Sequence, residues 1–98
     1  MIYVIAELSI KPGSAEKAAA EARKAVAETN KEDGCIFYQM HLNVSDPTKL
    51  VVVERWESRE ALDAHIQTPH LKAWRAAGAD FVTGRKVEVI TPASVSGL

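Results

Sequence analysis

The chain has 98 residues, with 12 Lys plus Arg against 13 Asp plus Glu and a formal net charge of −1. That length suits one domain spanning residues 1–98, and the near-neutral balance lacks the basic excess of phosphate-backbone binders, so no nucleic-acid partner is expected. Cys35 has no second cysteine to pair with, the opening MIYVIAEL meets Glu7 before a secretory apolar stretch is complete, and no apolar run approaches the ~20 residues of a membrane span. A soluble, cytoplasmic protein with no membrane partner is the expectation.

Ile2, Val4, Ala6, Leu8 and Ile10 alternate with Tyr3, Ile5, Glu7 and Ser9, the period of a strand, until Lys11, Pro12 and Gly13 stop it. Ser14 is placed to N-cap a helix with Glu16 in its first turn, and Ala15, Ala18, Ala19, Ala22, Ala25 and Val26 recur at helical spacing to about Lys31. Asp33 and Gly34 close that helix. Residues 35–42 and 50–57 read as strands joined through Asn43, Ser45, Asp46 and Pro47, a connection short enough for an antiparallel hairpin. Ser58 caps a second helix carrying Leu62, His65 and Ile66 on one face. Thr68 and Pro69 restart it as a separate piece to about Ala77, because proline is tolerated at N1 but not inside a helix. Gly78 ends that piece, and residues 85–90 form the last strand. Strand, helix, strand, strand, helix, strand is the ferredoxin-like βαββαβ order of the α+β class: one antiparallel sheet with its helices on one face.

If the even positions of the first strand face the helices, the other sheet face carries Tyr3, Ile5, Phe37, Val51 and Val53. A contiguous apolar patch of that kind calls for a cover, and small domains bury only roughly 60–70% of their unfolded surface. A homodimer through the open sheet face is therefore expected.

Glu54 and Trp56 share the covered face because they lie two apart on a strand. Counting ~1.5 Å per helical residue from Ser58 brings His65 back to the level of Val53 or Glu54. A Glu54–His65 hydrogen bond would orient the ring and raise its basicity, as a proton-abstracting base requires. Trp56, Trp74 and Phe81 gather aromatic surface near that histidine. His65 and His70 are interrupted by Pro69 and lack the i,i+4 facing of a helical zinc pair, so no metal site is expected. There is no Gly-rich phosphate loop, Walker lysine or nucleophile elbow. Cys35 has no base near it in sequence and reads as a packing residue.

The opening VIAELSIKPG, the segment GCIFYQ and the block VVVERWESREALDAHIQTPHLKAW, together with the closing strand, resemble the antibiotic biosynthesis monooxygenase family, within it the small quinol monooxygenase type. The most specific part is E-x-W-x-S-x-x-A-L-x-x-H-x-x-T-P-H over residues 54–70. The resemblance implies a dimeric α/β-barrel assembly and oxidation of a small aromatic substrate, a quinol or polycyclic phenol, by O2 with no flavin, haem or metal cofactor. It implies His65 supported by Glu54 as the catalytic pair, and Tyr38, Trp56, His70, Trp74 and Phe81 as substrate-binding residues. Haem-degrading relatives carry an asparagine and a haem-ligating histidine where this chain has Leu8 and Arg75, so haem is not expected. Two other classes stay open: an isomerase or hydrolase of a small carbonyl compound, and a non-catalytic ligand-binding or stress-response dimer, since the fold serves both.

Overall fold

The computed structural model describes residues 1–98. Strand β1 (Ile2–Ile10) leads into helix α1 (Ala15–Thr29), the hairpin β2 (Cys35–Asn43) and β3 (Asp46–Trp56), helices α2 (Arg59–Ile66) and α3 (Pro69–Gly78), and strand β4 (Val82–Ile90). The strands pair antiparallel in the order β2-β3-β1-β4. With the helices on one face, this is the ferredoxin-like arrangement, its second helix broken at Pro69.

The alternation read from the sequence sets the faces. Ile2, Val4, Ala6, Leu8 and Ile10 of β1 and Leu50, Val52, Glu54 and Trp56 of β3 are all buried. Helix α1 places Ala18, Ala22 and Ala25 on the sheet side, where short side chains let the helix sit close. Helix α2 contributes Leu62 and His65, and α3 contributes Leu71 and Trp74. Trp56 and Phe81 are the largest fully buried side chains. At roughly 1.5–3 kcal/mol per large apolar side chain, this layer supplies most of the favourable burial.

Both caps at the helix break form as expected: Ala61 N donates to Ser58 Oγ at 3.2 Å, and Leu71 N to Thr68 Oγ1 at 3.4 Å, with Pro69 in the first turn. Ser14 does not cap α1. Its hydroxyl donates back to the Lys11 carbonyl at 2.5 Å instead, and α1 ends at Thr29. The hairpin is tighter than expected, with β3 starting at Asp46. Asn43 Oδ1 accepts from Ser45 N and Asp46 N at 2.8 and 3.1 Å, which folds the turn locally. Pro47 is tolerated because it falls in a bulge between the pairs Asn43–Asp46 and Leu42–Leu50, where no bond to β2 is needed. Strand β4 begins at Val82, before Gly84, next to the register shift at Ser9 and Ile10.

Asn30, just past α1, is bonded on three sides. Its Nδ2 donates to the carbonyls of Val26 and Tyr38 at 2.8 and 2.9 Å, and its Oδ1 accepts from Tyr38 N at 3.1 Å. The amide thereby ties the end of α1 to β2, an edge strand.

On the open face, Tyr3 and Phe37 meet edge-on at 6.5 Å between ring centroids, and Arg55 lies 5.2 Å over the Tyr3 ring. Val53 pairs with Ile5, which is 41% exposed. Gln39, opposite Val53, and Glu7, opposite Val51, interleave polar groups with this patch.

Gly34 sits at φ +81 where the chain enters β2, and a Cβ there would lie 2.6 Å from the Ala61 Cβ of α2. Gly13 has a similar φ of +83 but open space around it. Gly34→Ala should therefore cost about 2–4 kcal/mol in urea unfolding, combining left-handed strain with a core clash, against about 1 kcal/mol for Gly13→Ala. Equal costs for the two would show that α2 yields freely at Ala61.

Candidate active site

A half-open cavity of about 140 Å³ lies between the covered sheet face and helices α2 and α3. It exists because the helices cover β1 and β3 but leave β4 bare. Val87 and Val89 lie opposite Ala6 and Val4 on that same face and are 55% and 43% exposed. Tyr38, Glu54, His65 and Trp74 line the cavity with apolar residues of the sheet and helices, and three arginines, Arg59, Arg75 and Arg85, also border it.

His65 is 3% exposed. Its ring lies over Trp56 at 4.8 Å between centroids and beside Tyr38 at 5.3 Å. The carboxylate that holds it is Glu32, not Glu54: His65 Nδ1 lies 2.7 Å from Glu32 Oε2. Glu54 is occupied elsewhere, accepting at Oε1 from the Trp56 indole Nε1 at 2.9 Å, a contact that follows from their sharing one strand face. The expected Glu54–His65 pair is thus replaced by two separate hydrogen bonds, because α2 turns the imidazole edge toward the α1–β2 connection rather than toward β3.

His70 joins the same carboxylate. Its Nε2 also lies 2.7 Å from Glu32 Oε2, and the two imidazole centroids are 6.2 Å apart. Sequence spacing had argued against such convergence. The break at Pro69 is what permits it, since α3 starts in a new direction and returns His70 toward α2. Ligand atoms of Glu32, His65 and His70 all lie within 4.8 Å of one another. The three therefore form a set that could ligate a metal ion, contrary to the expectation from spacing, and the two 2.7 Å contacts share one carboxylate oxygen between the rings. With Nδ1–H of His65 and Nε2–H of His70 donating to one oxygen, the remaining nitrogen of His65, Nε2, carries the lone pair.

The other expected pocket residues divide. Tyr38 and Trp74 line the cavity. Trp56 is wholly buried beneath His65 and serves as its platform. Phe81 packs behind Trp74 at 5.8 Å between centroids and does not reach the cavity. His70 borders a separate crevice against α1. Sequence reasoning missed Glu32, which lies in a connector with no periodicity, and gave no role in the site to Arg75 or Arg85.

Burial dominates the electrostatics. It pushes the Glu54 carboxyl up to about 7, partly opposed by the Trp56 hydrogen bond and reinforced by the Glu32 charge. Burial likewise raises Tyr38, helped by the charges of Glu54 and Glu32, and pushes the Cys35 thiol up to about 11, which leaves it unreactive. His65 is held below its usual value by burial, with Glu32 pulling the other way. The site therefore presents a neutral imidazole and a carboxyl that changes charge near neutrality.

The Glu54 shift has a sign that can be measured. Between pH 4.5 and about 7 the folded chain retains a proton that the unfolded chain gives up, so this group costs stability as pH rises through that window. Glu54→Gln keeps an acceptor for Trp56 without the charge. Relative to wild type, its urea-unfolding stability should rise by about 1–3 kcal/mol between pH 4.5 and 8. A difference that does not vary with pH would show Glu54 titrating as an ordinary surface carboxylate.

The sequence and the fold have counterparts. A family model described as antibiotic biosynthesis monooxygenase matches residues 1–77. A curated relative, "Probable quinol monooxygenase YgiN" of Escherichia coli, is 32% identical over 102 residues, covering 94% of this chain and 98% of its own. The solved structure of Rv0793 from Mycobacterium tuberculosis superposes with a TM-score of 0.88 at 30% identity, covering 98% of each chain. A Deinococcus radiodurans structure at 21% identity superposes with a TM-score of 0.92 over 100% of this chain and 98% of its own, and shows the shared fold alone. With the family model matching residues 1–77 and the fold shared, the chain belongs to the antibiotic biosynthesis monooxygenase family.

Proposed function

We propose that the protein is a monooxygenase that oxidises a quinol or electron-rich phenol with O2, the substrate itself supplying the electrons. The family and the relative named as a probable quinol monooxygenase support the reaction class. The observation that carries the mechanism is the buried His65, backed by Glu32 and facing a cavity of single-ring size. His65 Nε2 takes the hydroxyl proton, and the resulting anion is reducing enough to pass an electron to O2. Glu32 stabilises the imidazolium that forms, the role an acid plays behind a histidine base. One oxygen atom then enters the ring and the other leaves as water, a quinol giving four electrons in becoming a hydroxyquinone. The apolar walls keep bulk water from the anion. Oxygen uptake with 1,4-dihydroxynaphthalene and anthrone, corrected for autoxidation, tests this; no enzyme-dependent uptake across such a panel removes the proposal.

The protein also works, on this reading, as a two-fold dimer through the open sheet face, supported by the adjacent Tyr3, Ile5, Phe37, Val51 and Val53. Val53→Asp would bury an unpaired carboxylate there and should yield monomer or unfolded chain in sedimentation. Wild-type protein sedimenting as a monomer at micromolar concentration overturns the assembly.

With a substrate whose pKa lies well above the assay pH, His65→Ala should lower kcat/KM by about 10²–10⁴-fold. Since burial keeps His65 below its ordinary value, the acid limb of the wild-type pH profile should lie below pH 6.5. Glu32→Gln keeps the hydrogen-bond acceptor but removes the charge that raises the His65 pKa. It should lower kcat about tenfold and move that limb to still lower pH. An unmoved limb in Glu32→Gln would separate His65 from the profile.

A further inference from the structure

Arg75 and Arg85 sit where the cavity opens. Both line it, and both line a second, shallower depression of about 350 Å³ beside it that ends at Gly78 and Gly84. Of the three arginines reaching the cavity, Arg59 is committed to Asp63 at 3.1 Å, whereas neither Arg75 nor Arg85 forms an ion pair or side-chain hydrogen bond. Two arginines without a protein partner thus border one cavity, in a chain whose net charge is −1. The acidic groups near the cavity, Glu54 and Glu32, are already engaged by Trp56 and by the two histidines. The Arg75 charge is close enough to act on the Tyr38 hydroxyl and on His65, beneath the larger effects of burial and the carboxylates. A ligand that reaches His65 therefore passes within the field of Arg75.

Size adds a second constraint. The half-open cavity of about 140 Å³ is close to the ~150 Å³ of an apolar cavity that accepts one benzene. A substituent or second ring extends to its exposed rim, where Arg75 and Arg85 stand with Val87 and Val89. Planar guanidinium groups pair bidentately with flat carboxylates.

We propose that Arg75 and Arg85 form a carboxylate-binding mouth, so that the preferred substrate is an aromatic acid whose hydroxylated ring lies beside His65 while its carboxylate lies between the two guanidinium groups. The placement of the ring rests on the monooxygenase reading above; the carboxylate mouth rests on the arginines alone.

Binding of 6-hydroxy-2-naphthoate, 2-naphthol and 6-hydroxynaphthalene-2-sulfonate, followed by tryptophan fluorescence, tests the mouth without turnover. The wild-type protein should bind the naphthoate at least tenfold more tightly than the naphthol, and added salt should erode that advantage. In the double variant Arg75→Met with Arg85→Met, the ratio should fall about tenfold toward unity; both positions are exposed, so folding is retained and is checked by circular dichroism. Equal affinities for acid and phenol in the wild type overturn the proposal, as does an unchanged ratio in the double variant. Tighter binding of the sulfonate than of the naphthoate overturns the assignment to a carboxylate. Wild-type turnover of a neutral quinol without preference for the acid defeats this inference alone, whereas preferential acid binding with no oxygen uptake on any quinol defeats the oxygenase reading and leaves the mouth standing.

Discussion

One carboxylate oxygen, Glu32 Oε2, accepts from two imidazoles on two different helices. That shared acceptor constrains much of what surrounds it. It joins the α1–β2 connection to α2 and α3, and it requires a ring N–H from each histidine, which sets both tautomers. The chain must then deliver three residues from separated segments to one point. Asn30 anchors the near side of the connection, Gly34 brings its far side against Ala61, and the Thr68–Pro69 cap redirects α3 so that His70 can arrive.

The polar groups inside this core are arranged in layers rather than as one network. Glu54 lies on the sheet and is held by the Trp56 indole, and the Trp56 ring in turn carries His65. Glu32 closes the arrangement from above. The protein thus keeps two carboxylates near one aromatic slot but gives them different tasks: Glu32 holds two histidines, while Glu54 accepts from one indole and is pushed by burial toward neutrality. A buried carboxyl pushed toward neutrality beside a histidine is a mark of sites that handle protons.

Much of the fold was legible because burial imposes a period. A half-buried strand must alternate, so Val4, Ala6 and Leu8 declared their face, and with it the position of Glu54 and Trp56. Local hydrogen-bond chemistry was equally readable at Ser58 and Thr68, whose side chains act within a few residues of themselves. Legibility ended where contacts join distant segments without a pattern. Glu32 meets His65 across 33 residues, from a connector that no periodicity describes. The same limit separated His65 from His70 on paper, since the direction taken by a helix after a proline break depends on packing against α1 and not on the motif itself. Phe81 was drawn into the pocket only because an aromatic residue in a connector carries no sign of which side of Trp74 it will occupy.

The Asn30 amide has a consequence for the outer rim of the sheet. Strand β2 has no neighbour beyond it, and an unpaired strand rim is a template on which another chain can add. At Tyr38 the backbone N–H and C=O are both taken by the Asn30 side chain, which offers one donor and one acceptor as a neighbouring peptide would. That amide is also bonded to the Val26 carbonyl, so the cover is fixed to the helix rather than free to swing away. An incoming strand would have to displace it before extending the ladder across this position. The side chain therefore obstructs strand addition at Tyr38, and it does so only while the final turn of α1 holds it in place.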